Sequence, residues 1–214
     1  MYVPTQFREE RRDVLIAAMR DIQLAALVTA GAEGMHATHI PMVVREIGDD
    51  LVVETHVARG NEHWRHQGMQ SLAIFQGPHA YVHPGWYESK QEHGKVVPTW
   101  TYVVVHAHGV LETFQDQAEL IEHVTRLTEQ NEASRDLPWA VSDAPEKYIT
   151  SMTRGIVGLR FKVTQLEGSW KLNQHKSDTD RSGVIAGLSA SGAQDARSVA
   201  ELMRAGNQRH ATEI

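Results

Sequence analysis

Four short groups of residues have the types and spacing to bind a small molecule. Thr38-His39-Ile40 lies on an extended stretch that ends at Pro41. Thr55 and His56 close a strand that gives way to Arg59-Gly60-Asn61 just before a short helix. That turn suits a phosphate: arginine supplies a charged fork, and the N–H groups of the loop and helix start point at the anion. A plain strand-to-helix turn in which Gly60 lends backbone freedom would use the same letters. Thr99 and Trp100 follow Pro98 in a third group. The fourth, Gly168 to His175, holds Lys171 and Gln174 beside Trp170. Its polar side chains either close a site, on this or another subunit, or form a solvated loop.

The third group belongs to an unusual run. Between Phe75 and Tyr102 fall six of the chain's 14 aromatic residues and three of its seven prolines. Stiff rings with polar tips beside fixed bends are what a pocket for a flat ligand requires, and an ordinary β-core with turns is the competing interpretation.

The 13 histidines raise the question of metal or haem. His106 and His108 are two apart on one strand face, and His63 and His66 are three apart on a helix. Either spacing allows a shared ion. No HExxH and no facial triad with a carboxylate accompanies them, so structural or ligand-contacting histidines are expected and no metal. The absence of G-x-S-x-G, a Walker loop and G-x-G-x-x-G leaves acyl transfer, nucleotide hydrolysis and Rossmann binding without a motif. No catalytic residue is assigned.

Composition narrows the class. A chain of 214 residues with 41% hydrophobic and 22% charged content is globular, of one or two domains. A net charge of −6 speaks against a broad nucleic-acid face, although direct DNA binding through a dimer surface stays open. Zero cysteines remove disulfides and thiolate chemistry. With no signal-type core at the start and no apolar run long enough for a membrane span, a cytoplasmic protein away from membranes is expected.

The elements that must position these groups follow from periodicity. Arg8 to Asp21 carries Val14, Leu15, Ala18 and Met19 on one helical stripe. Strands are expected at Leu24–Thr29, Met35–Val44, Leu51–Val57, Ser71–Phe75, Thr101–Phe114 and Ile156–Leu166. Short helices are expected at Glu62–Gln67 and Pro145–Thr153, and a longer one at Asp116–Glu129. Lys171 to Asp180 reads as polar loop, followed by one weak helix near Ala196 to Arg204. Small residues on one face of Thr101–Phe114 suit a tight barrel interior. The predicted fold is mainly β with α: an antiparallel barrel of six or seven strands with peripheral helices. The domain is placed at residues 1–188, with a C-terminal tail over 189–214.

In this order the groups resemble the PaiB family of FMN-binding negative transcriptional regulators. The resemblance rests on Met1-Tyr2-Val3-Pro4 and Phe7, Ala37 to Pro41, His56 to Asn61 with Trp64, and FQGPHAYVHPGWY. It continues through Val97 to Trp100, Ile156-Val157-Gly158 and Trp170 to Gln174. Thr101, Asn173, His175 and Glu62 stand where the family pattern has asparagine, serine, asparagine and proline.

The resemblance implies an FMN-binding split barrel of the pyridoxine-phosphate oxidase type and a homodimer with two flavin sites. It would lay Thr38, His39 and Ile40 along the isoalloxazine. Thr55, His56, Arg59 and Asn61 would hold the ribityl chain and phosphate. Thr99 and Trp100 would line the ring, and Lys171 and Gln174 would reach in from the partner subunit. The implied function is regulation, acting indirectly or through a flavin-dependent signal. The alternatives are an FMN-dependent oxidoreductase on a small substrate and a haem-binding or haem-degrading split-barrel protein.

Overall fold

Alternating burial organises the long strands, as the period of two requires. In Thr99–Val110 the residues Thr101, Val103, Val105, Ala107 and Gly109 are buried while their neighbours are partly open. The computed structural model describes residues 1–212. Residues 213–214, the end of the predicted tail, lie outside the described residues.

The chain divides into two compact units. The larger comprises 12–75 and 106–166, and the other comprises 1–11, 76–105 and the chain from Glu167 onward. The strands are β1 (Arg8–Glu9), β2 (Leu24–Gly31), β3 (Gly34–Pro41), β4 (Val43–Ile47), β5 (Asp50–Ala58), β6 (Gln70–Val82), β7 (Thr99–Val110), β8 (Glu112–Phe114), β9 (Ile156–Lys162) and β10 (Gln165–Lys171). The helices are α1 (Arg12–Ile22), α2 (Ser89–His93), α3 (Gln117–Glu132), α4 (Glu146–Thr153), α5 (Asp178–Ser189) and α6 (Gln194–Thr212).

In the larger unit one sheet runs β6–β2–β3 and another runs β4–β5–β9–β8. The pairings β2–β3, β2–β6, β4–β5, β5–β9 and β8–β9 are antiparallel, with Thr38 opposite Leu27 and His56 opposite Gly158. The apolar stripe of α1 buries Leu15, Ile16 and Met19, and the sheets bury Leu27, Val53, Phe75, Leu159 and Phe161. The Asp116 side chain caps α3 by accepting from the N–H groups of Ala118 and Glu119.

In the other unit the order is β1–β10–β7–β6, with Arg8 and Glu9 antiparallel to Ser169 and Gly168. Its core joins Ala80, Val82, Tyr87 and Val103 to Val184 and Leu188 of α5 and Val199, Ala200 and Met203 of α6.

Several predicted boundaries move. The first helix starts at Arg12 rather than Arg8, because Phe7 is buried and Arg8–Glu9 pairs in a sheet. The strand from Ser71 runs on to Val82, through the stretch whose glycine and proline suggested turns. Its buried positions shift phase at Pro78–His79, from Ser71, Ala73, Phe75 and Gly77 to Ala80 and Val82. The stretches Met35–Val44, Thr101–Phe114 and Ile156–Leu166 each divide into two strands, and Arg8–Glu9 adds another. The six or seven expected strands therefore become ten among the described residues. Helix α5 begins at the end of the polar stretch Lys171–Asp180 and continues through residues that were assigned no element. Its glycines admit Trp86: a Cβ at Gly183 would collide with the Trp86 carbonyl oxygen, and one at Gly187 with its ring. The weak helix near Ala196 is the middle of the longer α6.

Candidate functional site

The turn after β5 is built by Asn61. Its side-chain oxygen accepts from the His63 N–H at 3.0 Å and so starts the single 3₁₀ turn Glu62–His66. That turn delivers the His63 ring into the sheet, where it is 2% exposed. The Nδ1 atom meets the Thr38 hydroxyl at 2.9 Å and Nε2 meets the Thr29 hydroxyl at 2.8 Å. Thr29 in turn contacts the Ser71 hydroxyl at 2.6 Å. The Asn61 amide nitrogen lies 3.5 Å from the Thr38 hydroxyl. Thr38 and Asn61, assigned separately from the sequence, thus share one hydrogen-bonded chain.

Burial lowers the His63 pKa to about 4, helped by the nearby His66 and His36 rings. The imidazole is therefore neutral at pH 7. With both ring nitrogens on hydroxyls, it has no lone pair to offer an ion jointly with His66. Alternation on β3 buries Ile40, leaves Thr38 half-buried and turns His39 outward.

Arg59 follows β5 and is exposed. Its Nε donates to the Arg154 carbonyl and Nη2 to the Ile156 carbonyl, both at 3.1 Å, and Nη1 donates to the Gln115 side chain at 2.8 Å. All three acceptors are neutral. Among the described residues no carboxylate pairs with this guanidinium, so its position is fixed while its charge is uncompensated. The Arg59 carbonyl accepts from the Trp64 indole at 3.0 Å. The Thr55 hydroxyl is buried and donates to the Pro41 carbonyl at 2.7 Å.

His56 turns to α3, with Nδ1 3.1 Å from His123 Nε2. Burial lowers both pKa values, that of His123 to about 3 with further lowering by His56, Arg126 and Arg45. His123 Nδ1 is 4.0 Å from Glu54, itself 2% exposed and paired with Arg45 at 2.8 Å and Arg126 at 3.0 Å.

The remaining residues lie in the other unit. Lys171, at the end of β10, donates to the Thr99 hydroxyl at 3.0 Å and stands 5.7 Å from the Tyr102 ring centre. Trp100 is 54% exposed, with the His79 and Tyr81 rings centred 6.2 and 6.0 Å away. Thr101 is fully buried and donates to the Ala80 carbonyl at 3.1 Å, so its hydroxyl faces away from the Trp100 side of the strand. Gln174 folds back on its own loop, accepting from Leu172 N–H at 2.8 Å and donating to the Trp170 carbonyl. Asn173 between them is buried in the left-handed region at φ 59°.

Sequence reasoning did not single out Thr29, Ser71 or Gln115, and it weighed His63 with His66 as a possible metal pair while expecting a structural or ligand-contacting histidine. The Asn61-x-His63 spacing was the available local signal, since an asparagine oxygen readily accepts from an N–H two residues on.

Within the larger unit, a cation held by neutral groups suits a phosphate. Within the other, an exposed indole suits a flat ring. The comparisons agree. A family model described as "Putative FMN-binding domain" matches residues 1–165. Protease synthase and sporulation protein PAI 2 of Bacillus subtilis (strain 168) is 32% identical over 205 residues, covering 95% of this chain and 96% of that protein. The structure of the FAD and heme binding protein from Mycobacterium smegmatis matches with a TM-score of 0.57 at 15% identity, over 82% of this chain and 78% of that one. The flavocytochrome Anf3 from Azotobacter vinelandii also gives 0.57, at 10% identity, over 82% and 75%. At such identities these two structures establish the fold. The chain belongs to the PaiB family of FMN-binding split-barrel proteins.

Proposed function

We propose that the chain works as a cytoplasmic homodimer whose bound FMN governs a negative transcriptional regulator, with residues 1–188 as the flavin domain. The observation that carries the flavin assignment is Arg59, an arginine positioned by three neutral acceptors and paired with no acid among the described residues. It would take the phosphate. Asn61 and His56 would border the ribityl chain, and Thr38, His39 and Ile40 would run along the ring. Trp100 and Thr99 would line the ring, and Lys171 would reach the flavin of the other subunit. The Thr55 hydroxyl and the Gln174 amide are engaged within the chain, so these two would act by shaping the backbone around the ligand.

Bound FMN supplies the electron chemistry, and the protein supplies orientation and exclusion of water. Regulation would be indirect, since a net charge of −6 speaks against a broad basic face for DNA. Fluorescence titration with FMN and riboflavin tests the phosphate role. Arg59→Ala should weaken FMN by about 10- to 100-fold, the range of a lost charged hydrogen bond, and leave riboflavin unchanged. Equal FMN affinity in the variant and the native protein would remove that role. Light scattering of the purified protein tests the dimer, and a promoter shift with a steep salt slope would point to direct DNA binding instead.

A further inference from the structure

The chain of groups around His63 takes its direction from one end. There Ser71 Oγ donates to the Met69 carbonyl oxygen at 3.4 Å, on an oxygen that also accepts from the Leu111 N–H at 2.9 Å and can only accept. At the other end Asn61 faces Thr38 Oγ1. Its oxygen already accepts from the His63 N–H, an obligate donor, which fixes the amide so that its NH₂ points at Thr38. The Ser71 end dictates the direction, and the Asn61 end is compatible with it, because a hydroxyl oxygen can accept twice.

Following the protons through the chain leaves one arrangement. Ser71 donates to Met69 O and accepts from Thr29. Thr29 has then spent its proton and must accept from His63, which places the imidazole proton on Nε2. His63 Nδ1 is bare and accepts the Thr38 proton, and Thr38 accepts from Asn61. Thr29, His63 and Ser71 are 0%, 2% and 4% exposed, so water has little access to reset the order.

We infer that this chain is polarised from Asn61 to Met69 with His63 as the Nε2–H tautomer, so that Thr38 meets its ligand only as a hydrogen-bond acceptor. His63 is then a positioning residue, and Thr38 determines specificity. Resting on the proposed placement of Thr38 along the isoalloxazine, the inference reaches one ring atom. Oxidised isoalloxazine carries a single N–H, at N3, while its other polar ring atoms accept. An acceptor-only hydroxyl therefore selects the N3–H edge.

The test uses the full chain with ¹⁵N-labelled histidine. Long-range proton–nitrogen correlation on the FMN-free protein should find the proton of His63 on Nε2 and Nδ1 bare at neutral pH. A proton on Nδ1 overturns the inference, whatever the flavin does. Titration with FMN and N3-methyl-FMN then tests the ligand contact. The native protein and Thr38→Ser should discriminate against the methylated flavin by about 5-fold or more, the scale of one hydrogen bond, and Thr38→Val should bind the two alike. Equal binding of both flavins by the native protein overturns the N3–H assignment. A native protein that binds neither flavin sinks the flavin proposal and the N3–H contact with it, and the tautomer measurement then decides the polarity by itself.

Discussion

The Lys171 ammonium and the Thr99 hydroxyl, 72 residues apart in the chain, meet at 3.0 Å within one subunit. The ammonium also faces the Tyr102 ring, so it is aimed by a hydroxyl and an aromatic surface, and among the described residues no acid pairs with it. Such a lysine attracts an anionic or electron-rich ligand group. Lys171→Gln keeps much of the length and removes the charge. FMN affinity should fall about 10-fold, and Thr99→Val, which releases the ammonium and removes one neutral hydroxyl from the ring lining, should cost less, about 2- to 5-fold. Titration of both variants checks the order, and the reverse order would make Thr99 the dominant ligand contact and Lys171 its support.

Acid should destabilise the protein through two buried imidazoles. His63 and His123 have folded pKa values lowered to about 4 and about 3, against about 6.5 in the unfolded chain. Above pH 6.5 neither state binds these protons. Between about 6.5 and 4 the unfolded state binds them and the folded state does not, so stability falls as pH falls. The slope is about 1.4 kcal/mol per pH unit for each histidine. Urea unfolding at pH 7.5, 6.0 and 5.0 measures it, and His63→Gln and His123→Gln should each flatten the profile. Equal unfolding midpoints across that range would contradict the buried neutral state.

Local signals were legible where both partners lie close in sequence. The alternation of β7 and the Asp116 cap of α3 follow directly from spacing. The turn at Glu62 was legible for the same reason, since Asn61 caps it two residues away. The role of His63 was not, because Thr29 and Thr38 lie 34 and 25 residues from it and only the β2–β3 pairing brings both to the ring. Strand β6 defeated its turn letters because its place beside β7 and burial of Ala80 and Val82 outweigh the preference of Gly77 and Pro78 for bends. Helix α5 was hidden by glycines whose purpose is contact with Trp86, about 100 residues upstream.

Glu54 should be the costliest single charge to remove in the larger unit. It is 2% exposed and serves both Arg45 and Arg126. Glu54→Gln leaves two guanidinium groups beside a neutral amide. Breaking a buried pair this way costs about 3–5 kcal/mol, and partial exposure of both arginines favours the lower end. Arg126 keeps a second, exposed partner in Glu122 at 3.2 Å, so adding Arg126→Met should recover only part of the loss. Equilibrium unfolding of the single and double variants reads the difference, and a double variant no more stable than Glu54→Gln would mean that Glu122 suffices to neutralise Arg126.

Two glycines on the C-terminal helices should respond oppositely to alanine. At Gly206 in α6 an added Cβ meets nothing within 4 Å, so Gly206→Ala gains only helix propensity and should stabilise by about 0.5–1 kcal/mol. At Gly183 in α5 the same Cβ runs into the Trp86 carbonyl, which is backbone and cannot rotate away. The helix must then shift off a core that includes Tyr87, Val184 and Leu188, and overpacking of this kind costs about 1–3 kcal/mol. Because propensity favours alanine at both positions, only the Trp86 contact can reverse the sign. Thermal unfolding of the two variants should therefore bracket the native protein, with Gly206→Ala above it and Gly183→Ala below. Two upward shifts would mean that α5 does not press on Trp86 in solution.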